Sequence, residues 1–316
     1  MSSTSDNLAA YENRVAGNGG AFDFPRSVSQ RRAYRNCPML YYLRYGPGWT
    51  SRKRKGTYAF GDTWQGVVQG VLQGRLTSPQ EMHEAFAADW VKFEGDPAME
   101  WGSSTGWRFF LERSRKLAEV SFQELRRVIG LPSDAVYDER FTYPLAPGVR
   151  ETVIPDYVGP VKRYEGPSGL FLSESVLTIV DWKTSPREYE PIAVELDEQL
   201  TTYQVGVEHL LQEPVVQVGL CVFVYQALPK VQWILRPARP REVVEQFVAS
   251  AIVDDQRIRR GEFPRNPNAC FFRGRCEMVP LCYESQRHLI ATELQKPEKP
   301  RNPQSLDWLE LDAIEG

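Results

Sequence analysis

Several features are missing from these 316 residues, and each absence narrows the reading. No apolar run reaches the ~20 residues that a membrane-spanning helix needs; the longest, residues 215–225, is interrupted by Gln217. The first thirty residues hold no basic stretch followed by an apolar one, so no secretion signal is read and the expected location is the cytoplasm, with no membrane as partner. There is no G-x-x-x-x-G-K-[ST] loop, hence no nucleotide-driven motor. No segment repeats and no tract is of low complexity. An overall excess of base, the usual footprint of a nucleic-acid binder, is absent too: the net charge is −3.

What is present suffices for a large core, since 42% of the chain is apolar. Charge is unevenly placed. The last ten residues carry Asp307, Glu310, Asp312 and Glu315 and no base, so the remainder has a net charge of −3 + 4 = +1. Bases cluster at Arg31, Arg32 and Arg35, at Arg52, Lys53, Arg54 and Lys55, at Arg257, Arg259 and Arg260, and at Arg273 and Arg275. Such runs suit phosphates, or form a solvated face.

Helical patterns occupy most of the N-terminal part. One begins near Ser29, and Pro38 suits the first turn of a second. Gly61, Asp62 and Thr63 open a third, in which Trp64, Val67, Val68, Val71 and Leu72 recur at helical spacing. Two more fall at about 80–93 and 107–129. Strands are expected over 135–145, 151–158, 169–172 and 177–183, with 159–167 as a surface excursion. A helix over 194–211, strands over 214–225 and 230–236, and a helix over 240–260 follow. The order describes an α/β core with a helical N-terminal part. The expected division is a flexible 1–26, a main domain over 27–290 with a cysteine module at 264–284, and a linker and acidic tail over 291–316.

Two groups of residues carry chemistry. In Leu177-Thr178-Ile179-Val180-Asp181-Trp182-Lys183-Thr184-Ser185 an apolar strand presents an acid and a lysine two apart, on one face, with Val180 and Trp182 on the other. Asp156, 25 residues earlier, ends another apolar strand. Two carboxylates that hold a divalent cation and an ammonium that orients water are what phosphodiester hydrolysis requires. An ion pair at a strand edge is the alternative reading. The second group is Cys37 with Cys270, Cys276 and Cys282, the last three at six-residue intervals among Pro264, Pro267 and Pro280. Cys221, inside an apolar strand, reads as a buried small side chain.

The segments IPD, LTIVDWKTS and DEQLTTY, in that order, resemble the RecB-like branch of the PD-(D/E)XK nuclease superfamily. The resemblance covers about 27–290. It implies a restriction-endonuclease-like core, a mixed sheet flanked by helices, with Asp156, Asp181 and Lys183 catalytic and Gln199 and Tyr203 as the Q-x-x-x-Y pair. Mg²⁺ or Mn²⁺ would lie on Asp156, Asp181 and the Trp182 carbonyl. Members place a histidine four residues after the glycine of the third helix. Here that position is Gln65, a weaker ligand, which implies lower metal affinity or a site for hard cations. Glu139 resembles a further acid of the family.

One cysteine near the start and three near the end resemble the iron–sulfur variant found in AddB-type helicase-nucleases and in nucleases of CRISPR spacer acquisition. That variant implies a C-terminal Cys-rich module holding a [4Fe–4S] cluster on Cys37, Cys270, Cys276 and Cys282; zinc or merely buried thiols are the alternatives. The implied activity is a DNA exonuclease on single-stranded ends or duplex ends that fray, serving recombination, repair, phage DNA processing or spacer acquisition, beside a helicase, recombination or adaptation partner. The bases near Arg31 and Arg52 would grip phosphates and Tyr34, Tyr41 and Tyr42 stack bases, or fill a core. A catalytically silent DNA-binding or assembly subunit is the other reading.

Overall fold

The structure, a computed structural model, describes residues 22–165, 170–271 and 274–296. Contacts divide the chain into two compact units, one made of the residues up to Arg52, Pro144–Glu151 and those from Glu245 onward, the other of Lys53–Tyr143 and Thr152–Val244.

In the first unit, helix α1 (Val28–Asn36) starts at Ser27, whose Oγ accepts from the Gln30 N–H while the Gln30 side chain accepts from the Ser27 N–H. This reciprocal cap satisfies two amides that the first turn leaves open. Pro38 opens α2 (Pro38–Tyr45), so Cys37 sits at the junction between the helices. Tyr34, Tyr41 and Tyr45 pack with Phe22, Phe24, Ile258 and Phe263 into an aromatic core, with Tyr42 against it. Of the tyrosines considered for base stacking, Tyr34 and Tyr41 are therefore core residues and Tyr42 is half-buried against them. Arg31 is also withdrawn from any phosphate: it is buried and pairs with buried Glu151. Arg35 pairs with Asp254 of the helix Arg241–Arg259 at 2.5 Å. Of the stretch expected to be mobile, residues 1–21 lie outside the described residues, while Phe22, Phe24 and Arg26 are buried. Leu294–Gln295 pairs antiparallel with Thr50–Ser51; the tail from 297 and Arg273 lie outside the described residues.

The second unit holds α3 (Gly56–Leu72), α4 (Pro79–Trp90) and α5 (Trp107–Val128). Its sheet runs in the order β1 (Tyr157–Glu165), β2 (Leu170–Ser185), β3 (Gln217–Val224), β4 (Lys230–Pro237). β1 and β4 run antiparallel to their neighbours, and β2 and β3 are parallel, joined through α6 (Ile192–Leu196) and α7 (Glu198–Leu211). A parallel pair needs such a helical crossover. β3 is buried throughout, as the apolar run that follows Gln217 requires of a central strand. Phe60, Trp64, Phe86, Trp90, Phe110 and Leu117 of α3–α5 pack with Tyr157, Val180, Trp182, Phe223 and Trp233 of the sheet. Truncating any of the buried aromatics to alanine costs about 3–5 kcal/mol.

Five expectations change. The strand read over 135–145 begins at Phe141, and the one read over 151–158 is two pieces, Val149–Val153 and β1 from Tyr157, in different sheets. Of the surface excursion expected over 159–167, residues 159–165 are instead strand, since β1 continues to Glu165 and pairs with β2, itself one strand rather than two, while 166–167 lie outside the described residues. Gly159 is required there because a Cβ would lie 2.8 Å from the Ala135 Cβ and from the Tyr157 hydroxyl oxygen, and Pro160 is tolerated because β1 is an edge strand. The helix read from Gly61 starts at Gly56, its first turn fixed by buried Ala59 and Phe60. The helix over 194–211 is broken at Asp197.

Candidate active site

β2 positions the first two functional side chains by its pleat. Val180 and Trp182 enter the aromatic core, so Asp181 and Lys183 emerge on the opposite face. Lys183 Nζ lies 2.8 Å from Asp181 Oδ2, and Asp181 is almost fully buried. Because Tyr157 pairs with Val180 across the antiparallel ladder, the residue before it, Asp156, is brought beside Asp181. Asp156 precedes the first residue of β1, and its Oδ2 accepts from the Trp182 N–H at 2.7 Å. The carboxylate thus takes a strand N–H where the ladder ends.

The break at Asp197 aims the next pair. Its Oδ1 accepts from the Gln199 N–H at 2.8 Å, capping α7. Gln199 and Tyr203 then share one helix face. Gln199 Nε2 donates to Asp181 Oδ1 at 2.9 Å and to the Tyr203 hydroxyl at 2.6 Å. α3 supplies Gln65, four residues after Gly61; a Cβ on Gly61 would lie 3.2 Å from Thr184 Oγ1 at the end of β2, so glycine allows the close approach. Gln65 Nε2 donates to Asp156 Oδ1 at 3.1 Å and to Asp138 Oδ1 at 2.6 Å. The site therefore gathers all five expected catalytic residues and Gln65. Trp182 contributes its N–H. Asp138 and Glu139 are both exposed, and it is Asp138 that makes the contact with Gln65. Asp138 and Asp197 are the acids the sequence reading passed over.

Electrostatics match this crowding. Burial and then the Asp181 charge raise the Asp156 carboxyl well above its usual range, with Lys183 opposing. Burial alone would lower Lys183, but Asp181 and Asp156 overcome it and push it up to about 12, so the ammonium stays charged. Burial, Asp181 and Asp156 raise Tyr203, which stays a neutral phenol. Among the described residues, no group of three or more His, Cys, Asp or Glu is drawn together as a formed metal site. The Gln65 amide and the Lys183 ammonium supply the positive ends between these carboxylates. The donor set is all oxygen, which suits Mg²⁺ or Mn²⁺.

The cysteines lie in the first unit. Cys37, Cys270, Cys276 and Cys282 are free, half-buried, and line one cavity with Leu40 and Arg265. The Asn266 N–H points at Cys37 Sγ at 3.5 Å, and the Tyr283 hydroxyl is 3.7 Å from Cys270 Sγ. Burial raises the Cys276 thiol and pushes Cys282 up to about 11 against the lowering effect of Arg265; each feels the other cysteines. Four thiols around one cavity are of the type that ligates a metal or cluster once their protons are displaced, yet among the described residues they are not drawn together as a formed metal site. Cys221 is fully buried and apart from them, as a core side chain.

Two acids and a lysine converging at the end of a mixed sheet define the nuclease class of site. The family model of the PD-(D/E)XK nuclease superfamily matches residues 25–283, and the chain belongs to that superfamily. A crystal structure from Eubacterium rectale, of a protein provisionally named an exonuclease, is similar at 13% identity and a TM-score of 0.45, over 95% of this chain and 96% of that one. No curated protein matches. Among the described residues no helix is long and apolar enough to cross a membrane.

Proposed function

We propose that the protein is a Mg²⁺- or Mn²⁺-dependent deoxyribonuclease of the RecB-like iron–sulfur branch. It acts as an exonuclease on single-stranded or frayed DNA ends, in recombination, repair, phage DNA processing or spacer acquisition. The observation that carries this reading is the convergence of Asp156, Asp181, Lys183, Gln199 and Tyr203 through hydrogen bonds and one ion pair. Asp156 and Asp181, with the Trp182 carbonyl and Gln65, would hold the cation. When bound, it would draw charge from the scissile phosphate and acidify water. Lys183, charged and oriented by Asp181, positions the attacking water and meets the negative charge that develops on phosphate. Gln199 fixes the second Asp181 oxygen, and neutral Tyr203 fixes Gln199.

Cys37, Cys270, Cys276 and Cys282 would hold a [4Fe–4S] cluster, supported by the cavity they share. Its contribution is to folding, since ligation ties Cys37 to residues more than two hundred positions later. Unwinding falls to a helicase partner in the cytoplasm.

The test is digestion of end-labelled single- and double-stranded DNA, blocked at either the 5′ or the 3′ end, with Mg²⁺, Mn²⁺ or chelator. Wild type shortens a strand only with metal, and Lys183→Ala loses about 10²–10³ in rate. Binding by both proteins with shortening by neither would leave the silent subunit, a reading that the neutral Gln65 favours.

A further inference from the structure

Asp156, Asp181 and Lys183 together carry one net negative charge, which leaves a dication unbalanced. Gln65 is neutral and adds none. The structure brings another carboxylate to that place. A single Gln65 NH₂ group spans two acids, reaching Asp138 Oδ1 at 2.6 Å and Asp156 Oδ1 at 3.1 Å. Two devices hold Asp138 there. Its backbone N–H donates at 3.1 Å to the carbonyl of Pro155, the residue before Asp156, which ties the two stretches of backbone together. Its φ of 49° is left-handed, a conformation that costs an aspartate free energy and persists where its surroundings impose it. The Asp138 charge also reaches Asp156.

We propose that Asp138 is the third carboxylate of the cation site, and that Gln65 is the positioning residue that orients it toward Asp156. This assignment rests on the metal-dependent reading above. Three carboxylates and one ammonium sum to −2, the charge that Mg²⁺ or Mn²⁺ balances. Oxygen donors are also what these hard cations select.

The test is calorimetric titration of the full, chelator-stripped chain with Mn²⁺, for wild type, Asp138→Asn, Asp138→Ser, Glu139→Gln and Asp156→Asn. Asparagine keeps the size of Asp138 and tolerates its left-handed backbone, and circular dichroism checks that each variant is folded. Both neutral substitutions at 138 weaken Mn²⁺ by about tenfold or more, whereas Glu139→Gln binds as wild type does. Wild-type affinity in the folded 138 variants, beside an Asp156→Asn chain that binds no Mn²⁺, overturns the assignment while leaving the metal site. A wild type that binds no Mn²⁺, or an Asp156→Asn chain that binds it equally well, overturns the metal reading and the assignment with it.

Discussion

Replacing Arg31 separates a structural base from a phosphate-gripping one. Its Nε donates to Glu151 Oε2 at 3.0 Å, its second arm pairs with the same oxygen, and its third nitrogen donates to the Ala251 carbonyl at 2.8 Å. Both partners are excluded from solvent, Arg31 at 1% and Glu151 at 0% exposure. In Arg31→Met the stem is filled but Glu151 keeps only the more distant Arg26 to offset its charge. Removing one member of a buried pair costs about 3–5 kcal/mol, a large share of the ~5–15 kcal/mol that holds a typical domain folded. Arg31→Met/Glu151→Leu removes both charges and replaces them with apolar volume, so it is more stable than Arg31→Met.

The pH dependence has a definite sign. Burial raises Glu151 above its ordinary 4.5, with Arg31 and Arg26 opposing. A raised carboxyl contributes stability that is fully present below 4.5 and lost as pH rises through its folded value. Without Arg31 that value climbs further, so the deficit of Arg31→Met deepens as pH rises through the wild-type folded value of Glu151. Urea unfolding at several pH values measures this, and the salt dependence of single-stranded DNA binding is measured beside it. A variant within about 0.5 kcal/mol of wild type, whose salt slope falls by about one, would refute the buried-pair reasoning and return Arg31 to the DNA.

Cys276→Ala, purified without oxygen, loses the brown absorbance near 400 nm and unfolds at lower urea; unchanged absorbance removes Cys276 from the ligands. Asp156→Asn in chelator is more stable than wild type near pH 7, because a carboxyl raised by burial and by Asp181 subtracts stability as pH climbs above 3.8, and the difference closes in acid. Thermal unfolding across pH checks it, and a variant less stable at every pH removes the charge-crowding account. In the same scans Mn²⁺ raises the melting temperature of wild type and not of Asp156→Asn.

The chemistry on β2 was legible because a strand has period two: Asp181 and Lys183 share a face whatever the rest of the chain does. The partnership with Asp156 needed only the antiparallel register, and the Gln199–Tyr203 pair needed only the helical spacing of four. Elements went astray where a local signal met a tertiary one. Gly159 and Pro160 open the stretch read as a surface excursion, yet the crowding of Ala135 and Tyr157 makes the glycine a strand residue. Asp197 followed by Glu198 and Gln199 is a helix-start signal, masked by the apolar run that precedes it.

Charge was the least legible property. A cluster of arginines reads as surface because a charged side chain is seldom buried without a partner, and the partner of Arg31 stands 120 residues away at Glu151. The same holds at the active site. Asp138 and Glu139 are adjacent acids, and nothing in their order says which one reaches Gln65. That choice is made by the sign of one backbone angle at Asp138 and by its amide on the Pro155 carbonyl. Both lie beside the bridge that Val136 makes to Val158 at the start of β1. A carboxylate placed by such long-range contacts can be located only from the folded chain, whereas the D-x-K strand beside it is written in consecutive residues.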